Sequence, residues 1–438
     1  MTCLFPQDRG LRTAALWVLI ALTMACRQAA PSAPVALLGV PGHRNEHVSI
    51  ATDGDTLVTL AWAASSESTG TNIFASVSTD GGRSFSPPVR VNTVARQANV
   101  NGEQPPRVVV RRDTSGAQSI VVLWTARTPE GTRLLSAQSL DAGRTFGANV
   151  LLPGLDAPGN RGWESMTVAE GRVYALWLDH REAVQSAADH QTHAHRHGGG
   201  AAAPATDGVA RAQRSQLFVA TLDGSLSPKG IARGVCYCCK TALTAGADGA
   251  VYAAWRHVYE GNRRDIAFTV SRDGGRSFAE PVRVSEDEWQ IEGCPENGPA
   301  LTVDSRNRIH VVWPTLVRGP QGEHLQLFYA SSADGRTFTP RTALPTVGDA
   351  FHPHVVTTAD GGLLAAWDEL ANGKRVVKMA RLASPGGRER FEPIGDSGDM
   401  SGLYPALAAT REHAVLAWSQ RTGEESRIAV KNLPPGRP

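Results

Sequence analysis

The sequence has almost no net charge, few cysteines and, beyond its first 26 residues, no long apolar run. Forty-four Lys and Arg stand against 42 Asp and Glu, a formal net charge of +2, and no basic stripe breaks the balance. That leaves no electrostatic case for nucleic acid, whose binding rests on neutralising phosphates. No later segment approaches the roughly 20 apolar residues that a helix needs to cross a bilayer. What is present is a 41% hydrophobic share, enough for a substantial core, with 44 Gly and 27 Pro. Such a composition suits many short strands joined by tight turns.

The first 26 residues read as a targeting segment. Arg9 and Arg12 form a basic start, and the apolar run from Ala14 to Leu22 ends at Thr23-Met24-Ala25-Cys26. This resembles a bacterial lipoprotein signal, which implies cleavage before Cys26, lipidation of Cys26 and a membrane-anchored place in the bacterial cell envelope. The expected organisation is a signal peptide over 1–25, a lipidated Cys and flexible tether over 26–40, and one domain over 41–438. Export would place Cys236, Cys238, Cys239 and Cys294 in a compartment that permits disulfides.

A repeat runs through that domain. A short apolar strand ending in Trp recurs at Trp62, Trp124, Trp177, Trp255, Trp313, Trp367 and Trp418. The period is about 50 residues, stretched where a loop is longer, and such a period means a propeller or a solenoid. Another short strand precedes each Trp strand and a third follows it. Several repeats add a fourth, so each repeat predicts one four-stranded antiparallel blade.

Between the third and fourth strands a turn motif returns. It reads Ser78-Thr79-Asp80-Gly81-Gly82-Arg83-Ser84-Phe85, and recurs from Ser139 to Phe146 and from Ser271 to Phe278, with a shortened copy from Ser332 to Phe338. The Asp can accept turn N–H groups and the Gly can take positive φ. The motif resembles the Asp-box (BNR repeat) of sialidase-like β-propellers. The resemblance implies an all-β fold with the Asp-boxes structural and the ligand site on the opposite face. Seven Trp strands predict seven blades, where sialidases proper have six.

Propeller topology then predicts the mouth. Residues just before each inner strand should ring it, which names His47, Gln104, Trp163, Lys240, Asn297 and His352 as ligand-binding candidates. A sialidase-type site implies a Tyr nucleophile activated by a Glu, with Arg residues clamping a carboxylate. The candidates are Tyr404, Glu164, Glu296 and Arg44, with Arg161 and Arg256 also near mouth loops. The expected ligand is therefore a glycan, recognised or hydrolysed. A different function is carried by Cys236, Cys238, Cys239 and Cys294 with the His-rich insertion over about 179–214. Cys sulfur and the imidazoles of His190, His193, His195, His197 and His354 would suit copper or zinc. The same cysteines could instead form two disulfides. A third alternative is a non-catalytic scaffold for an unknown protein partner.

Overall fold

The computed structural model describes residues 34–433, apart from Thr114, Asp156, 183–204, Glu292, Cys294, 320–321, 385–388 and Asp399. Cys26, Cys294, His190, His193, His195 and His197 therefore lie outside the described residues. Among the described residues no helix is long and apolar enough to cross a membrane.

The chain folds into seven antiparallel sheets of four strands each, a seven-bladed β-propeller. The Trp strands are the second strands. They run Val58–Ser66, Gln118–Thr128, Arg172–Asp179, Val251–Arg256, Ile309–Gly319, Leu363–Ala371 and Ala414–Thr422 in blades one to seven. Their seven indoles are buried to 1% exposure or less. Aromatic side chains of this kind remove roughly 150–250 Å² each from water, and here they fill the space between blades. The first strands pack against one another in order around the ring and form its inner wall.

The seventh blade joins distant parts of the chain. Leu403–Ala409, Ala414–Thr422 and Glu425–Leu433 supply three strands. The fourth is Ala36–Leu38, paired antiparallel with Ile428 to Val430. The sheet thus begins inside the segment expected to be tether, because Ala36 and Leu38 pack on the apolar cluster between blades seven and one. The insertion after Asp179 also holds more order than its composition implies. Residues Ala205–Arg214 form a helix, and Ala212 sits against Cys236, Cys238, Cys239 and Val258.

The four Ser-x-Asp turns close alike, at the end of each blade away from the inner-strand entrances. In the second, Asp141 Oδ1 accepts Ser139 Oγ–H and Thr145 N–H at 2.8 and 2.9 Å, and Oδ2 accepts Thr145 Oγ1–H at 2.6 Å. Such bonds favour the ionised carboxylate. They hold Asp141, Asp273 and Asp334 down at about 2. A carboxyl whose folded value is depressed stabilises the fold above its unfolded value of roughly 3.9, and that contribution fades as pH falls through the folded value. Thermal melts should therefore show a drop in Tm between about pH 4 and pH 2. The drop should flatten in the triple variant Asp141→Asn, Asp273→Asn, Asp334→Asn. An unchanged acid slope would mean that these turns do not contribute.

Candidate functional site

The entrances to four blades share one irregularity. Pairing between first and second strands slips between Glu46 and Ser49, Gly162 and Ser165, Phe351 and His354, and Leu403 and Ala406. The slip leaves His47, Trp163, His352 and Tyr404 in left-handed backbone, with φ of 61°, 54°, 49° and 53°. For non-glycine residues this costs of order 1–3 kcal/mol each, and it persists where the surroundings over-determine it. Around a propeller axis it turns large side chains toward the centre.

Three of these side chains meet there. The Tyr404 ring lies 4.2 Å from the His352 ring and 5.6 Å from that of His47, centroid to centroid. Gly102, from the entrance to blade two, lies against the same phenol. A Cβ at Gly102 would fall 1.9 Å from Tyr404 Cζ, so only glycine fits. Burial, followed by the charges of Asp368, Glu103 and Glu296, pushes the Tyr404 phenol well above its ordinary value, and it keeps its proton.

His352 is oriented by a carboxylate. Its Nδ1 lies 2.7 Å from Asp368 Oδ1. Asp368 is fully buried and also accepts bonds from Arg375 Nε and, at 3.2 Å, from Tyr404 N. Burial works against its charge, but His352 and Arg375 win and hold the carboxyl low. An ionised Asp368 can only accept, so Nδ1 carries a proton, and in the neutral imidazole Nε2 is then the acceptor. Nε2 faces Glu103 Oε1 at 3.9 Å.

Glu103 reaches across the axis from blade two. Its Oε2 accepts Lys240 N–H and Gly298 N–H, at 3.0 and 3.1 Å. Gly298 passes so close that a Cβ there would meet Lys240 O at 2.1 Å. Lys240 Nζ donates to Pro353 O at 2.8 Å, and burial pulls its ammonium down to about 8.

Below this layer lies a cavity of about 170 Å³, lined by Ser49, Arg107, Lys240, His352, His354 and Tyr404 among others. Arg107 Nε donates to Glu164 O at 2.6 Å, but its buried Nη2 has no hydrogen-bond partner. Ser49 Oγ is also buried without one, as are Glu103 Oε1 and His47 Nδ1. Buried polar atoms of this kind are rare enough that each calls for an explanation. His354 Nδ1 accepts Leu407 N–H at 3.3 Å, and burial with the charges of Lys240 and Arg107 brings its imidazole down to about 3. Burial likewise brings His47 down to about 4.

The remaining sequence candidates sit elsewhere. Glu164 is buried between blades, where Thr125 Oγ1 donates to its Oε2 at 2.9 Å and burial raises its carboxyl, so it is not Tyr404's partner. Glu296 is half-buried at the entrance to blade five, with φ 48°. Arg44 is engaged with Glu46 at 3.2 Å, Arg161 with Asp179 at 3.3 Å, and Arg256 with backbone carbonyls including Asn297 O at 2.8 Å. These three arginines form no common clamp. Gln104 braces Trp163 N, and the Trp163 ring lies 5.5 Å from that of His180. Asn297 is buried and donates to Pro295 O. Glu103, Arg107 and Asp368 were not among the sequence candidates.

Three sulfurs gather at the entrance to blade four. Cys236, Cys238 and Cys239 are buried with their sulfur atoms within 4.8 Å of one another. Cys238 is disulfide-bonded, while Cys236 and Cys239 are free thiols. His354 is not part of this cluster. Burial disfavours the Cys236 thiolate, but a bond from Cys239 and the Arg264 and Arg256 guanidiniums outweigh it and bring the thiol down to about 6.

No family model and no curated protein matches the sequence. Solved structures do match the fold. One is an ulvan lyase from a new family of polysaccharide lyases, bound to -[GlcA(1-4)Rha3S]-, with a TM-score of 0.55 at 9% identity over 92% of this chain and 94% of that one. Another is a protein of unknown function from Dyadobacter fermentans, with a TM-score of 0.51 at 12% identity over 92% and 99% of the two chains. A third is the α-L-arabinofuranosidase of Fusarium graminearum with arabinobiose, with a TM-score of 0.50 at 11% identity over 92% and 97%. At these identities the likeness is one of fold.

Proposed function

We propose that the axial mouth binds a carboxylate-bearing sugar of a glycan and carries out proton transfer on it. The observation that carries this reading is Arg107 Nη2, a buried cationic donor without a partner on the wall of the axial cavity. A ligand carboxylate is the natural acceptor for such a group. Lys240 adds a second cation beside it. Two of the fold neighbours are glycan complexes, one of them with a glucuronate repeat.

The chemistry that suits the site is elimination. Neutralising a sugar carboxylate with Arg107 and Lys240 acidifies the adjacent C–H. The neutral form of His352, oriented through Nδ1 by Asp368, can take that proton at Nε2, and the protonated Tyr404 phenol can give one to the leaving oxygen. Hydrolysis with Tyr404 as nucleophile fits less well, because it needs a phenolate and a paired Glu. Cys26 and the segment before it support an envelope location, where polymeric glycans are met.

Calorimetric titration with glucuronate-containing and neutral oligosaccharides of equal length tests the binding. Ultraviolet absorbance of an unsaturated product tests the reaction. Selective binding of the acidic series is expected. Equal binding of both series, or of neither, would remove the reading.

A further inference from the structure

We propose that Cys236 and Cys239 form a reversible dithiol–disulfide couple that exchanges with small disulfide-bonded electron acceptors. The two sulfurs stand 3.0 Å apart across Cys236-Tyr237-Cys238-Cys239, a C-x-x-C spacing. That separation is shorter than a normal thiol contact, and little movement converts it into a bond of about 2.05 Å. The pair is distinct from the structural bridge at Cys238, whose sulfur lies 3.9 Å from that of Cys236.

The surroundings favour Cys236 as the attacking sulfur. Arg264 Nη1 points at Cys236 Sγ from 3.6 Å, and the Arg264 side chain is fully buried. Its Nη2 has no hydrogen-bond partner. Arg264 Nε donates to Asn262 Oδ1 at 2.9 Å, and among the described residues no carboxylate lies within 4.0 Å of its guanidinium, whereas Arg256 is engaged by backbone carbonyls and the Trp289 ring. A guanidinium beside a thiol favours the thiolate, which is the nucleophile in exchange.

The step balances as follows. Cys236 thiolate attacks one sulfur of the acceptor disulfide, forming a mixed disulfide and expelling one thiolate. Cys239, losing its proton to solvent, attacks Cys236 Sγ and expels the second thiolate. Two electrons pass from the dithiol to the acceptor, which leaves as two thiols. The apolar cover of Ala212, Val258, Trp163 and Tyr237 makes the exchange slower than at an exposed pair and restricts it to small acceptors.

The test uses the full chain equilibrated with glutathione disulfide or, as a smaller acceptor, 2-hydroxyethyl disulfide. The samples are acid-quenched, alkylated and peptide-mapped. The expected result is joint loss of the Cys236 and Cys239 thiols as one intrachain link, restored by dithiothreitol while the Cys238 bridge persists. In Cys239→Ser the mixed disulfide should accumulate on Cys236. Thiols that stay alkylatable with both acceptors, or a Cys236 link to any other cysteine, would overturn the proposal. A Cys239→Ser protein that folds but traps no mixed disulfide would overturn the assignment of Cys236 as nucleophile.

Discussion

Asp368→Ala is expected to destabilise the propeller by about 3–5 kcal/mol, the range for breaking a buried charged pair from one side. Asp368 is fully buried and has three partners: His352 on the first strand of blade six, Arg375 on its third, and Tyr404 N on blade seven. Removing it leaves a guanidinium and an imidazole facing a void, and it unties two adjacent blades at the mouth. Asp368→Asn keeps the shape and one acceptor, so it should cost less while losing the charge that fixes His352. Urea denaturation of the two variants measures the difference. A cost for Asp368→Ala within about 0.5 kcal/mol, as for an ordinary surface change, would mean that the carboxylate does not hold the mouth together. Any activity should fall in both variants, which separates orientation of His352 from stability.

Arg107→Met should remove acidic-glycan binding almost completely. Truncating one side of a buried, hydrogen-bonded charge contact costs about 2–5 kcal/mol, or roughly 30-fold to several-thousand-fold in Kd. Met preserves the apolar stem, so the inner wall should remain packed. The backbone bond to Glu164 O is lost, but Glu164 keeps its bond from Thr125. Arg107→Lys should recover part of the binding, because it restores charge without the planar fork. The cation beside it adds a pH signature. Lys240 is charged below about 8 and neutral above it, so affinity should fall as pH rises through that value. Calorimetry of the three proteins across pH reads both effects. Undiminished affinity in Arg107→Met would place the ligand elsewhere.

Much of the architecture was legible because it repeats. Seven Trp strands, with another short strand before each, forecast seven blades, and the entrances to the inner strands forecast which residues ring the axis. The chemistry was less legible because no repeat carries it. Asp368 directly follows Trp367, a position that reads as part of an apolar strand until the fold shows its carboxylate turned to His352. Arg107 occupies the inner-strand register held by Ser49, Ser165 and His354 in other blades. Aligning the strands one residue deeper would have exposed it. Glu103 adjoins the chosen Gln104, but nothing local says that it crosses to blades four and five. The pairing of Tyr404 with Glu164 failed for a geometric reason. Glu164 lies within the register slip at Trp163 and is turned between blades, where Thr125 Oγ1 donates to it.

The pairing of Ala36–Leu38 with Ile428 to Val430 has a kinetic consequence. Six blades are built from contiguous segments and can form as soon as each is complete. The seventh must wait for strands almost at opposite limits of the described chain. The entropy of so long a closure grows only logarithmically, by about 0.6 kcal/mol per doubling of length. Search time is the greater burden, since non-local strand pairing is slow and leaves edges open to other chains. Until those three residues dock, the third strand of blade seven, Glu425–Leu433, keeps one unpaired edge. In that interval a second molecule's strand could take the position that the chain's own strand is meant to fill.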